Sequence, residues 1–275
     1  MHPFIRITRP SNSIMSGFAV LIAGIIAGGF PITYKVVLAS FVSILACAGG
    51  MVINDYFDYE IDKINREERV LPKKEMSLQT ALIYAIFLFL LACFMAYFVN
   101  LKAFLICLIA VVSMILYAYK LKRTCFVGNI TVSFLTSLTF LYGGAAVNKM
   151  EAVGLLFLCS FLASVSREIM KDIEDIKGDK TMGSVTVPIV YGEKKSILIS
   201  QIFLFLAILA TYLPYLYNIF GIEYLLMISI LDLFVLRTAY ISKKNILRAE
   251  KTLKLEMYGV LAIFFLSKII ETILA

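Results

Sequence analysis

Long uncharged apolar runs dominate this chain. No charged residue falls between Arg9 and Lys35, Lys35 and Asp55, Glu75 and Lys102, Lys102 and Lys120, Arg123 and Lys149, or Lys195 and Glu223. A helix needs about 20 apolar residues to cross about 30 Å of hydrocarbon, and these runs reach or approach that length. Unpaired backbone groups are too costly in lipid for such runs to be irregular, so each is expected to be helical. Three less clean stretches complete a set of nine. One follows Glu151 and runs into Arg167, one follows Glu223 and contains Asp232 and Arg237, and one begins near Leu255 and carries Lys268. With 61% hydrophobic and 16% charged residues, the chain lies far from the makeup of a water-soluble domain. The expected fold is an all-α polytopic membrane protein.

Assigning the intervening loops to alternate sides puts 22 of the 26 lysines and arginines on one side, leaving Lys35, Lys102, Lys149 and Lys268 on the other. The positive-inside rule then sets the N-terminus and the long loops in the cytoplasm and, with nine spans, the C-terminus outside. The first run resembles a signal peptide, but its uncharged stretch from Pro10 to Tyr34 outlasts the usual apolar region of about 7 to 15 residues, so it is read as a span. Gly24 and Gly28 form a GxxxG within it, a place for close helix packing.

Composition removes several chemistries. The only histidine is His2, which excludes a histidine triad, a histidine-rich zinc site and a buried imidazole base. Cys47, Cys93, Cys107, Cys125 and Cys159 are widely spaced, form no CxxC and sit mostly in apolar runs, so they read as small buried hydrophobes. Carboxylate, lysine, hydroxyl or bound-metal chemistry remains.

Six of the seven aspartates fall into two clusters, at the cytoplasmic ends of the second and sixth spans. The first runs from Asn54 through Asp55, Asp58 and Asp62 to Lys63. The second runs from Lys171 through Asp172, Asp175 and Asp179 to Lys180. Both read DxxDxxxDK, and every acid of the first is 117 residues before its counterpart. Two copies of a three-acid spacing at matching places indicate an internal repeat. On a continuous helix, positions i, i+3 and i+7 share a face, as do Asn54, Asp58 and Asp62 at i, i+4 and i+8. Like charges so placed repel, so each row calls for a cation. Oxygen donors without histidine or cysteine select hard cations, and magnesium is usually held by few carboxylates with substrate phosphates completing its shell. Asp232 stands apart; a packing or local hydrogen-bonding role suits it at least as well as ligation.

Cations suited to a diphosphate lie nearby. Lys120, Lys122 and Arg123 follow the fourth span, Arg66 and Arg69 follow the first cluster, and Arg167 and Lys171 share a helical face ahead of the second. Each also serves topology and anionic lipid headgroups. Closeness to the acids singles out Lys122, Arg167 and Lys171.

These features together resemble the UbiA superfamily of intramembrane prenyltransferases. The resemblance covers nearly the whole chain: Arg9-Pro10-Ser11-Asn12; the Asn54 to Asp62 motif with Asn65 and Arg69-Val70-Leu71-Pro72; Tyr117 with Lys122-Arg123; Arg167-Glu168 and Lys171 to Asp179; and Gly183 with Thr186-Val187-Pro188 ahead of Tyr191-Gly192. The Asn12 to Gly24 opening and the Arg167 to Gly192 stretch are most similar to the archaeal geranylgeranylglycerol-phosphate geranylgeranyltransferase branch. The resemblance implies one transmembrane domain over residues 1–275, with nine helices around a central cavity and the two motifs at its cytoplasmic mouth. It implies two Mg2+ ions bridging the donor diphosphate. Asn54, Asp58, Asp62, Asp175 and Asp179 would hold metal, with Asp55 and Asp172 as ligands or supports. Asn12, Arg66, Arg69, Tyr117, Lys120, Lys122, Arg123, Arg167 and Lys171 would form the substrate-binding set. Within these sets, Asp58, Asp62, Asp175, Asp179, Lys122 and Lys171 would carry catalysis. The tyrosine-lysine motif is one residue longer than the YxxxK frequent in the family, leaving Lys120, Lys122 and Arg123 as alternatives for the phosphate contact.

The reaction so implied is transfer of geranylgeranyl from geranylgeranyl diphosphate to the free hydroxyl of geranylgeranylglyceryl phosphate, forming the second ether bond of archaeal membrane lipids. The partners expected are a prenyl diphosphate, a lipid-like acceptor and membrane lipid, with no nucleic acid and no obligate protein partner. Cations would neutralise the departing diphosphate, and an apolar cavity would keep water from the allylic cation. An aspartate or the released diphosphate would take the proton. An aromatic acceptor would share every metal motif. A secondary transporter usually carries its charges near the bilayer midplane, whereas these acids lie at cytoplasmic ends. A CDP-alcohol phosphotransferase would place glycine after its DxxD, which Asp58 lacks.

Overall fold

The computed structural model describes residues 1–181 and 183–274, apart from the side chains of Asn65, Lys177, Thr181 and Leu274. The Asn65 side chain of the first motif and the Lys177 side chain of the second therefore lie outside the described residues. All regular structure among the described residues is helical. Seven helical spans there are long and apolar enough to cross a membrane: Pro10–Gly28, Tyr34–Phe57, Leu78–Val99, Leu101–Tyr119, Met150–Glu174, Glu193–Leu216 and Ile222–Ser242. Two further long helices, Val127–Ala146 and Ile246–Leu274, occupy the remaining expected spans. Val127–Ala146 is diluted by Asn129 and a series of threonines and serines. Ile246–Leu274 begins well before Leu255, and Glu250 in its second turn pairs with Arg167.

The chain divides into two compact units, residues 1–122 with 138–151, and residues 123–137 with 152–275. In the first, the Tyr34–Phe57 helix packs against Pro10–Gly28, Leu78–Val99 and Leu101–Tyr119. The Leu78 helix buries Ala81, Ala85, Ala92 and Ala96 completely and exposes Ile83, Phe87, Leu90 and Phe94. Small residues inside and large apolar ones outside suit a helix solvated by lipid, where close backbone approach replaces hydrophobic burial as the source of packing. The GxxxG reading holds in this sense: a Cβ on Gly24 would meet Val36 Cγ1 at 2.4 Å, and one on Gly28 would meet Val147 Cγ1 at 3.1 Å.

In the second unit, the Gly154–Glu174 helix packs on Glu193–Thr211 and Ile246–Leu274, and Ile222–Ser242 packs on Ile246–Leu274. Hydroxyl pairs join its elements, with Ser137 Oγ 3.0 Å from Ser160 Oγ and Ser166 Oγ 3.0 Å from Ser200 Oγ. Asp232 is buried and accepts from Thr211 Oγ1 at 2.9 Å, the local hydrogen-bonding role weighed for it.

The internal repeat extends well beyond the aspartates. Arg9 and Phe126, 117 residues apart, both adopt left-handed backbone (φ 46° and 62°), and each immediately precedes a long helix, Pro10–Gly28 or Val127–Ala146. The next long helices end 117 residues apart at Phe57 and Glu174. Each is followed by an interruption at the middle aspartate, with φ −89°, ψ 0° at Asp58 and φ −88°, ψ 3° at Asp175. Short helices, Tyr59–Asn65 and Ile176–Thr181, then carry the last aspartate of each motif. The expected single helical face is thus corrected to a helix broken at its central acid. The bonds spanning the break match: Asp58 N donates to Asn54 O at 3.0 Å and Asp175 N to Lys171 O at 2.9 Å.

Candidate active site

The end of the Tyr34–Phe57 helix sets the first cluster. Asp55, on its last turn, is 5% exposed and accepts from Arg9, with Arg69 Nη1 3.1 Å from the same Oδ1. Arg69 also donates to Asp62, which is 4% exposed. Arg69 is fixed because the two residues after it, Val70 and Leu71, are buried in the apolar core of this unit. The Arg6–Glu75 ion pair joins the N-terminal segment to the same loop. Asp58, at the break, receives Asn54 Nδ2 at 3.0 Å on Oδ2 and the Lys122 ammonium on Oδ1. Lys122 Nζ also lies 3.5 Å from Asn54 Oδ1, so one cation sits on two oxygens of the expected metal-binding set.

The 3-10 turn Leu121–Arg123 carries Lys122 inward, while Lys120 and Arg123 are exposed. Of the three alternatives, the structure therefore brings Lys122 to the acids. Tyr117 is half-buried in the last turn of the preceding helix. Arg66 caps the short Tyr59–Asn65 helix and is exposed, and Asn12 is exposed in the first turn of the Pro10–Gly28 helix.

In the second cluster Asp172 accepts from Asn129 Nδ2 at 2.8 Å. Asp175 is exposed at the helix break and Asp179 is half-buried on the short helix after it. The ion partners of Arg167 are Glu168, with Nη1 3.2 Å from Oε1, and Glu250, while Lys171 Nζ donates to Glu168 Oε2 at 2.7 Å.

Burial pushes the Asp62 carboxyl above its ordinary range, against the pull of the Arg69 guanidinium. Burial also raises Asp179, and the neighbouring Asp175 adds to the effect. Both sites disfavour bare negative charge, which a cation would relieve.

The donors are carboxylate and amide oxygens alone, the chemistry of a hard divalent ion. Among the described residues no three histidine, cysteine or acidic side chains are grouped closely enough to form a protein-only metal cage. The Lys122 ammonium rests on Asp58 Oδ1 and lies 3.5 Å from Asn54 Oδ1.

Sequence reasoning gave no role to Arg9, Asn129, Glu168 or Glu250. Arg9 and Asn129 lie 46 and 43 residues from the aspartates they hold, a separation that periodicity does not reach. The constant offset of 117 could have placed Asn129 opposite Asn12 in the repeat.

Residues 15–269 match the UbiA prenyltransferase family. The chain belongs to this family. It is 41% identical over 274 residues, 98% of both chains, to a digeranylgeranylglyceryl phosphate synthase of Thermococcus kodakarensis. A solved structure concerning digeranylgeranylglyceryl phosphate synthase in membranes superposes with a TM-score of 0.86 at 36% identity, covering 97% of this chain and 98% of the other. A UbiA homologue from Archaeoglobus fulgidus bound to DMAPP and Mg2+ shares the fold, with a TM-score of 0.74 at 18% identity over 95% and 99% of the two chains. The chain is accordingly a multi-pass membrane prenyltransferase.

Proposed function

We propose that this prenyltransferase transfers a geranylgeranyl group from geranylgeranyl diphosphate to the free hydroxyl of geranylgeranylglyceryl phosphate. The observation that carries the reading is 41% identity along 98% of both chains to a protein named for making the product of that step. In the reaction the allylic carbon–oxygen bond of the donor breaks, diphosphate leaves with the bonding pair, and the acceptor oxygen forms an ether as its proton departs. Mg2+, as in the A. fulgidus homologue, would supply positive charge against the leaving group. Asn54, Asp58 and Asp62 of one motif and Asp175 and Asp179 of the other would hold it. Lys122, which pairs with Asp58, would exchange it for a diphosphate oxygen and neutralise charge as the bond breaks. Arg69 keeps Asp62 oriented through its guanidinium.

The same reading takes all nine long helices as spans around a cavity, forming one prenyltransferase domain with the motifs at its cytoplasmic mouth. The charge skew supports a cytoplasmic N-terminus and an external C-terminus. A tag between Lys63 and Ser77 should be reached by reagent only after the cell membrane is opened; labelling of intact cells would reverse the orientation. The function is tested by producing the chain in a bacterium supplied with synthases for the donor and for geranylgeranylglyceryl phosphate. Digeranylgeranylglyceryl phosphate in the lipid extract supports the reading, and its absence alongside abundant protein and both substrates contradicts it.

A further inference from the structure

The first aspartate of each motif is held by a residue from the start of the preceding helix of its repeat. Asp55 accepts from two guanidiniums, those of Arg9 and Arg69. Asp172 accepts from the Asn129 amide, whose residue is 6% exposed. Both holding residues come from the start of the preceding helix of their repeat. Arg9 is the left-handed residue before Pro10–Gly28, and Asn129 lies three residues after Phe126, the left-handed residue before Val127–Ala146. A left-handed turn costs an ordinary residue about 1–2 kcal/mol, so its recurrence before the same helix marks a conformation maintained by its surroundings. The two repeats thus hold corresponding carboxylates with different chemistry, a guanidinium in one and an amide in the other.

We propose that Arg9 and Asn129 are positioning residues that make Asp55 and Asp172 anchors, leaving the middle and last aspartates of each motif to face the metal. The inference rests on the metal and diphosphate reading given above and deepens it. Asp55 Oδ1 takes two guanidiniums, so recruiting it to a metal would strand both cations, whereas Asp58 and Asp62 each have a single charged partner, Lys122 and Arg69, to exchange. Its anchoring extends outward: Arg69 links Asp55 to Asp62, so Arg9, Asp55, Arg69 and Asp62 form an alternating chain whose outer carboxylate is aimed by the inner ones. Without Arg9, the buried Asp55 draws Arg69 toward itself and away from Asp62. A bystander cation would have the opposite sign, because its loss would leave the cluster more negative and tighten metal binding.

The test is Mn2+ binding to the full-length protein in detergent with inorganic diphosphate present, followed by the electron paramagnetic resonance signal of free Mn2+. Arg9→Gln and Asn129→Ala are expected to weaken binding about 10- to 100-fold, the usual effect of losing a residue that orients a metal ligand. Arg9→Lys should recover part of that loss. Asp55→Asn and Asp172→Asn should cost no more than loss of their anchoring residues, whereas Asp58→Asn and Asp175→Asn should abolish the ion they hold. Melting and size-exclusion profiles establish that each variant is folded; if Arg9→Gln is not, Arg9→Lys and Asn129→Ala decide. Unchanged or tighter Mn2+ binding in folded Arg9 and Asn129 variants overturns the proposal, as does a loss in Asp55→Asn equal to that in Asp58→Asn. A wild-type protein that binds Mn2+ with diphosphate yet prenylates no glycerol lipid would refute the proposed function alone.

Discussion

Asp58→Asn removes one charge from the break in the first repeat while preserving side-chain size. The native carboxylate and the Lys122 ammonium are each only 14% exposed, so the variant exchanges an ion pair for a hydrogen bond from the ammonium to a neutral amide oxygen. Hydrogen bonds to charged groups contribute about 1.5–3 kcal/mol, and the asparagine oxygen remains able to accept from Lys122. Asn54 Oδ1 also stays 3.5 Å from that ammonium, so folding stability should fall by about 1–2 kcal/mol. Transfer should suffer more. Removal of a single group that stabilises developing negative charge typically costs about 10²–10³ in rate, and loss of a carboxylate that holds the ion should cost at least that much. The assay is transfer of labelled prenyl at saturating Mg2+, with a thermal melt of the same preparation in detergent. Turnover near that of the wild type in a folded Asp58→Asn protein would refute the assignment of the first motif to metal.

Lys122→Ala should reduce transfer about 10²-fold, while Lys120→Ala and Arg123→Ala, which alter exposed side chains, should have small effects; comparable losses at all three would refute the selection of Lys122. Gly143→Val places a Cβ 2.5 Å from the Val20 carbonyl oxygen and 2.8 Å from Gly24 N, backbone atoms that cannot turn aside. It should lower stability by about 1–3 kcal/mol, read as an earlier melting transition, and an unchanged transition would contradict the packing. Burial holds Asp62 and Asp179 above the ordinary carboxylate range, and metal requires their ionised forms. Mn2+ affinity should therefore fall, with proton release on binding, as pH drops into the interval where these raised carboxyls take up protons. The metal-free fold responds with opposite sign: a raised folded pKa gives stability that is present at low pH and lost as pH rises through it. Affinity independent of pH over that interval would show that these carboxyls do not meet the ion.

The long apolar helices, the repeated acids and the one-sided skew of basic residues were legible because each is a local or periodic property of the chain. The break at Asp58 and Asp175 was not. Neither site contains glycine or proline, and the backbone there lies in a bridge region open to ordinary residues. At Asp58 the side chain is held by Asn54 Nδ2 at 3.0 Å and by Lys122, contacts that no local pattern announces. The partners of Asp55 and Asp172 were equally hidden, because 46 and 43 residues separate them from Arg9 and Asn129, and only helix packing brings them together. Ile246 opens a helix that an apolar scan starts near Leu255, and the partner of its early Glu250 is Arg167, 83 residues away in the chain. Lys120, Lys122 and Arg123 looked alike in sequence, and a single 3-10 turn distinguishes them.

The central claim is metal-dependent prenyl transfer to a glycerol lipid. Its most direct test offers purified protein labelled geranylgeranyl diphosphate with geranylgeranylglyceryl phosphate and, in parallel, 4-hydroxybenzoate, each with and without Mg2+. Label should enter the glycerol lipid only when Mg2+ is present. Label in the aromatic alone would preserve the reaction class and overturn the acceptor, while transfer undiminished by removal of divalent ions would contradict the role given to the aspartate motifs.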